Sequence, residues 1–491
     1  MIEDTTKTTT HAEINHHIQE TYVNLGLALR QAGEHEEAIA NLRKAIERDP
    51  EVTTPYLALG LVLNDITRYG EAEKVLYQAL EHTPEKDTET RAAIYAALGT
   101  SLHSLERYAE AASAFQEALR LGHKTAELYT RLGESLYFSN KEDEALAALE
   151  QALRLDPRNA RAHANKGRVL GWLERYHEAL SALDQALQLD QNDIYALVRK
   201  GVVLAQAEWY EEAITTLDRA IELKPNDEEA WGQKGVTLVQ AERYEEAIAA
   251  LDRATELKPD DEWDWAWKGV ALRQAGRYEE AIAALDRAIE LKPDDEWAWA
   301  WKGEVLRQAG RYEEAIAALD RATELKPDDE WDWAQKGVAL RLAERYEEAI
   351  AALDRAIELK PDDEWAWAWK GEALHLAERY EEAIAALDRA TELKPDYEWA
   401  WAWKGEALRQ AGRYEEAIAA LDRAIELKQN DEWDWAQKGV TLVQAERYEE
   451  AIAALDRATE LNPDYEWAWA CKGVALAQAG QIGRASCRER V

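Results

Sequence analysis

Glu296 to Asp329 reads EWAWAWKGEVLRQAGRYEEAIAALDRATELKPDD, and most of the chain is this stretch again. Trp299, Gly303 and Leu306, then Tyr312, Ala315, Leu319 and Ala322, lie at steps of three, four and seven, which trace one face of each of two short helices. Pro327 stops the second helix, and Gly310 supplies a left-handed turn residue between the two. Glu313 and Glu314 place negative charge at the positive end of the second helix. The unit is therefore expected to be an antiparallel helical hairpin. A glycine inside a helix costs about 1 kcal/mol relative to alanine, so Gly303 implies close packing, with Ala315 and Ala322 on the facing helix and Trp299 as a core residue. One hairpin cannot bury its outer faces, and the pattern predicts a stack in which each unit covers the next.

The motif Trp-x2-(Lys)-Gly-x2-Leu, followed by Tyr, Ala, Leu, Ala and Pro at fixed offsets, resembles the tetratricopeptide repeat. Its glycine recurs at Gly26, Gly60, Gly99, Gly133, Gly167, Gly201, Gly235, Gly269, Gly303, Gly337, Gly371, Gly405, Gly439 and Gly473, every step being 34 residues except 60 to 99, which is 39. The resemblance implies an all-α fold, a right-handed superhelical α-solenoid of stacked helix-turn-helix repeats. In chain order we expect a flexible lead-in (1–18), five divergent units (19–193), eight near-identical units (194–465), a terminal half-repeat helix (466–480) and a non-repeat tail (481–491). Among the near-identical units, Ile221, Thr255, Ile289 and Thr323 begin an alternation that makes the copied block two hairpins long.

A chain of 491 residues built this way needs no single large core. Its formal net charge of −38 argues against nucleic acid and anionic membrane surfaces as partners. The acid falls in the junction (Asp328, Asp329), at the start of the second helix and on its outer side (Asp320, Glu324), where it reads first as a solvated, repulsive surface. The two cysteines, Cys471 and Cys487, make no disulfide framework or zinc spacing. His11, His16 and His17 lack the helix-face spacing of a zinc protease, so no metal or other cofactor is expected. With no apolar leader and no run long enough to span a membrane, the expected location is cytoplasmic.

The resemblance implies that the first helix of each repeat lines a concave groove. Its offsets, carried onto the fourth to sixth units, mark Arg131, Tyr137, Phe138, Arg161, Arg168, Trp172, Tyr195 and Arg199. Arginine pairs bidentately with carboxylates and stacks on aromatic rings, so this stretch is a candidate site for an acidic or aromatic-rich peptide; Glu127 and Glu134 are placed to neutralise it instead. In the near-identical units tryptophan forms a ladder, Trp263, Trp297, Trp331, Trp365 and Trp399, continuing to Trp433 and Trp467 and accompanied by Trp267, Trp301, Trp369 and Trp403. Two readings stay open: rings that face a ligand, since Trp and Arg are common interface anchors, or rings that pack at the seam between repeats. The positions at which carboxylate-clamp members of the family carry Lys and Asn hold Ala266, Ala300 and Ala334, with Val270, Glu304 and Val338 further along, which argues against that specificity.

After Gly480 the chain leaves the repeat and reads QIGRASCRERV, as a truncated reading frame, a cloning scar or an assembly junction would. Trp467, Trp469 and Leu476 make the last helix a poor polar cap, from which self-association is expected. No nucleophile elbow, phosphate loop or zinc-protease motif is present, so no enzyme activity is expected of this chain. The two functional classes left are a protein-interaction scaffold with a concave Trp/Arg-lined groove, and the recognition arm of a larger enzyme, such as a glycosyltransferase or a protease-like signalling protein, whose catalytic domain lies elsewhere.

Overall fold

The computed structural model describes residues 2–488, with side chains from residue 17 to 480. The side chains of His11, His16, Cys487 and the rest of the tail lie outside those described. Among the described residues there are twenty-seven helices and no strand, as the repeat pattern predicts. The lead-in and the first repeat helix form one helix, Ile2–Ala32, and the last helix, Glu466–Arg488, runs past the point where the sequence leaves the repeat. No described helix is long and apolar enough to cross a membrane. The chain divides into two units, Met1–Leu257 and Lys258–Val491, and within each the hairpins stack on one another.

The reference repeat lies in the second unit as helices Glu296–Gln308 and Tyr312–Leu325. Asp295 starts the first helix by accepting a hydrogen bond from the Ala298 backbone N–H. Gly310, at φ 76°, ends it: the Arg311 N–H donates to the Leu306 carbonyl at 2.9 Å and the Gly310 N–H to Arg307 at 3.1 Å, the paired bonds of a left-handed helix terminus. Several sister repeats carry glutamate at this turn, with Glu344, Glu378 and Glu446 at φ near 60°, a conformation that L side chains enter at a cost.

Packing inside the hairpin turns on Gly303. A Cβ built there would sit 2.5 Å from Leu319 Cγ, so the partner that needs the glycine is this leucine, with the buried Ala315 and Ala322 flanking it. The same contact recurs sixteen residues apart in Gly133 and Leu149, Gly235 and Leu251, and Gly405 and Leu421, while Gly99 faces Phe115 in the same way.

Trp299 is not the core residue its spacing suggests. Ala298, Ala300, Val305 and Leu306 are the buried side chains, and Trp299 is half-buried. The reason is its indole N–H, which requires an acceptor and donates to the Pro293 carbonyl at 3.1 Å, drawing the ring over the preceding junction. The Lys302 ammonium stands 5.2 Å from the ring centroid and pairs with Asp286 of the previous repeat at 2.6 Å. Trp333, Trp367, Trp401 and Trp469 make the same clasp to Pro327, Pro361, Pro395 and Pro463.

On the last helix, Trp467, Trp469, Val474 and Leu476 are exposed, and Cys471 is a free, half-buried thiol.

Gly303→Ala is expected to lower stability by ~1–3 kcal/mol through overpacking against Leu319. Glu344→Gly is expected to raise it by up to ~1 kcal/mol by relieving the left-handed turn. Chemical denaturation of the two variants, with hydrogen exchange at the altered repeat, checks both signs.

Candidate functional site

The first helices of the fourth to sixth repeats, Ala126–Phe138, Ala160–Trp172 and Ile194–Gln206, hold the expected basic and aromatic patch within the first unit. Their helical spacing brings the side chains into one cluster. The Arg168 guanidinium lies 4.4 Å from the Tyr137 ring centroid, 4.7 Å from that of Phe138 and 6.0 Å from that of Tyr195. Arg199 stands 5.0 Å from the Tyr195 ring centroid as well. Trp172, the most exposed of these rings at 59%, meets Tyr137 edge-on at 6.5 Å. Phe138 stacks on Tyr108 at 4.7 Å.

Most of the arginines are already paired. Arg161 Nη2 donates to both carboxylate oxygens of the buried Glu134, at 3.1 and 3.2 Å. Arg131 pairs with Glu127 at 3.0 Å, and Arg199 with Glu229. Arg168 differs: its Nε and Nη2 are buried and have no hydrogen-bond partner. The Asn165 amide nitrogen beside it is likewise unpartnered, while its carbonyl oxygen accepts from the Tyr195 hydroxyl at 2.7 Å. Burial pushes the Tyr195 hydroxyl up and the Arg199 guanidinium down from their ordinary values. Burial likewise lowers His103, against the pull of Glu134. A cavity of about 380 Å³ adjoins the patch, with Arg30, Asp65, Thr100 and Arg131 among its lining residues.

The tryptophan ladder runs through the second unit as ring-to-ring contacts that cross from repeat to repeat. Trp263 meets Trp267 at 5.8 Å, Trp267 meets Trp297 at 5.4 Å, Trp297 meets Trp301 at 5.7 Å and Trp301 meets Trp331 at 5.7 Å. The series breaks where Gln335 replaces tryptophan and resumes from Trp365 through Tyr397 and Trp399 to Trp403. Trp263, Trp331 and Trp365 remain exposed by 39 to 44%, while Trp297 and Trp399 are half-buried. The rings thus pack on one another across the seams and stay partly exposed. Beside them the arginines are neutralised by buried glutamates: Arg307 grips Glu304 at 2.7 Å, Arg341 grips Glu372 at 2.6 Å and Arg273 reaches Glu304 at 3.3 Å. Burial pushes the Glu372 carboxyl up to about 7 against the opposing pull of Arg341.

Sequence periodicity does not mark a second group of polar residues at these seams. Asp332 and Asp434 are fully buried where the sister repeats carry Ala298, Ala366 and Ala400, and neither carboxylate accepts from an N–H or hydroxyl donor; each approaches another carboxyl, Glu296 and Glu398 respectively. Burial, with Asp329 and Glu296 nearby, pushes Asp332 up to about 8; burial, with Glu398 and Asp431 nearby, does the same to Asp434. The visible signal is the change from Trp-Ala-Trp to Trp-Asp-Trp at a position whose neighbours are all core alanines.

Tetratricopeptide-repeat models match residues 20–52, 51–122, 130–194, 173–228, 198–262, 233–296, 272–335, 340–398 and 374–437, and a TPR-repeat model matches 439–480. No curated protein matches the sequence. Similar solved structures include the APC/C hetero-tetramer Cut9–Hcn1, at 16% identity over 93% of this chain and 96% of that one with a TM-score of 0.49. Yeast Tom70 is similar at 15% identity over 81% and 97%, with a TM-score of 0.39.

A carboxyl whose folded value is raised holds its proton more tightly than in the unfolded chain, so its contribution to stability is lost as pH climbs from about 4 toward 8. Stability of the wild type is expected to fall over that range, and Asp332→Asn to flatten the fall; denaturation midpoints at pH 5 and pH 8 measure the difference.

Proposed function

Because the chain belongs to the tetratricopeptide-repeat family, we propose that it is a protein-interaction scaffold whose first helices line a groove for acidic, aromatic-containing segments of partner proteins. The observation that carries this reading is Arg168. A guanidinium held against Tyr137 and Phe138, with Nε and Nη2 unpartnered, is oriented and already desolvated, and it lacks only an acceptor. A carboxylate of the partner supplies that acceptor. The exposed Trp172 ring gives a flat apolar surface for an aromatic side chain at the same place. Arg161 and Arg131, already engaged with Glu134 and Glu127, hold the local potential near neutral in a chain whose net charge is −38, so an acidic segment is accepted there and repelled elsewhere.

In the second unit the partly exposed rings of Trp263, Trp297, Trp331, Trp365 and Trp399 form a separate row of apolar contacts without free positive charge. Many weak contacts along such a row raise affinity through multivalency. The expected setting is the cytoplasm.

A fluorescein-labelled random copolymer of glutamate and tyrosine is the probe. Fluorescence anisotropy is expected to show saturable binding to the full chain that weakens by tenfold or more in Arg168→Gln and falls with added salt. Unchanged binding in Arg168→Gln, with helicity retained, removes the patch as the anchor.

A further inference from the structure

We propose that Glu398, Asp431 and Asp434 form a site for one calcium-like divalent cation that joins two successive repeats. Glu398 opens the helix Glu398–Gln410, Asp431 caps the helix Glu432–Gln444, and Asp434 lies in the first turn of that second helix. One carboxylate oxygen from each lies within 4.8 Å of the others. The independent pointer to a ligand is Asp434 itself: the side chain is fully buried, its oxygens accept from no N–H or hydroxyl donor, and the group they approach is a second carboxyl, Glu398. A buried carboxylate left without a donor is costly, and where Glu398 and Asp431 converge on it as well, one positive partner offsets the repulsion of all three.

The surroundings favour a cation over another donor. Asp431 Oδ1 accepts the backbone N–H groups of Trp433 and Asp434 at 3.0 and 3.3 Å, which holds its carboxylate in place. Its Oδ2 accepts from Lys428 Nζ at 2.6 Å, and the Lys428 side chain is 56% exposed, so this ammonium can turn into solvent and yield its place. The donor set is all oxygen, without imidazole or thiolate, which selects a hard cation of flexible coordination over zinc or copper. Three carboxylates leave positions for water, as calcium takes six to eight oxygens. Among the described residues the corresponding trio Glu296, Asp329 and Asp332 does not draw together to this spacing, although Asp332 is equally buried. The competing account is a proton shared between Asp434 and Glu398, with no affinity for metal.

Terbium(III), a calcium-like probe whose luminescence is sensitised by nearby indoles such as Trp433, tests this on the metal-depleted full chain. The expected result is one saturable step displaced by calcium, weakened at least tenfold in Asp434→Asn and in Glu398→Gln and unchanged in Asp332→Asn, with circular dichroism showing equal helicity. Diffuse binding to an acidic surface is the same in every variant and is subtracted by this comparison. Absence of a calcium-displaceable step in the wild type, or a step of equal affinity in Asp434→Asn, overturns the proposal in favour of the shared proton.

Discussion

A glycine on one helix and a branched side chain sixteen residues later on the next hold each hairpin together. At Gly303 the space that a methyl group would take is filled by Leu319. This close approach brings the two backbones together, lets the flanking alanines seal the interface, and leaves the larger aromatic residues to the outside of the hairpin. Trp299 therefore serves the junction rather than the centre: its N–H holds the Pro293 carbonyl and its ring carries Lys302, which reaches back to Asp286. The contact inside a hairpin and the clasp between hairpins are thus consequences of one spacing, and nearest-neighbour stability follows from both.

Charge is organised by the same periodicity. Much of the acid responsible for the net charge of −38 is paired rather than merely solvated. Arg345 holds Glu348 of its own helix at 2.7 Å and Glu313 of the preceding repeat at 3.0 Å, and Arg379 treats Glu382 and Glu347 in the same way. Each exposed pair contributes little, being screened by solvent, but the series links one repeat to the next. Against this background Arg168 stands apart: Arg199, Arg273 and Arg341 also bury an unpartnered Nε, but each holds a carboxylate through another nitrogen.

The hairpins were legible in the sequence because glycine, proline and the apolar steps act locally: Gly310 and Pro327 bound helices wherever they occur. The pairing of the basic patch was only half legible. Glu127 lies four residues from Arg131 on one helix, a relation that spacing reveals. Glu134 lies 27 residues before Arg161, and which of its neighbours it would meet depends on how two repeats stack. The burial of Asp332 is legible only by setting it against the alanines of the sister repeats, because period alone cannot tell a polar residue at a seam from one in solvent. Trp299 was placed wrongly for a related reason: apolar spacing registers the ring, whereas the indole N–H, which needs a carbonyl, decided its position.

The recurrence of one glycine–leucine contact has a consequence for the history of the chain. Since Gly269 meets Leu285 as Gly303 meets Leu319 and Gly337 meets Leu353, any first helix of the near-identical block fits any second helix. Loss or gain of whole hairpins by unequal recombination therefore leaves each remaining glycine–leucine contact intact. Array length is free to drift in whole steps, while the divergent first repeats, where Phe115 replaces leucine and Arg168 meets Tyr137, keep a fixed address along it.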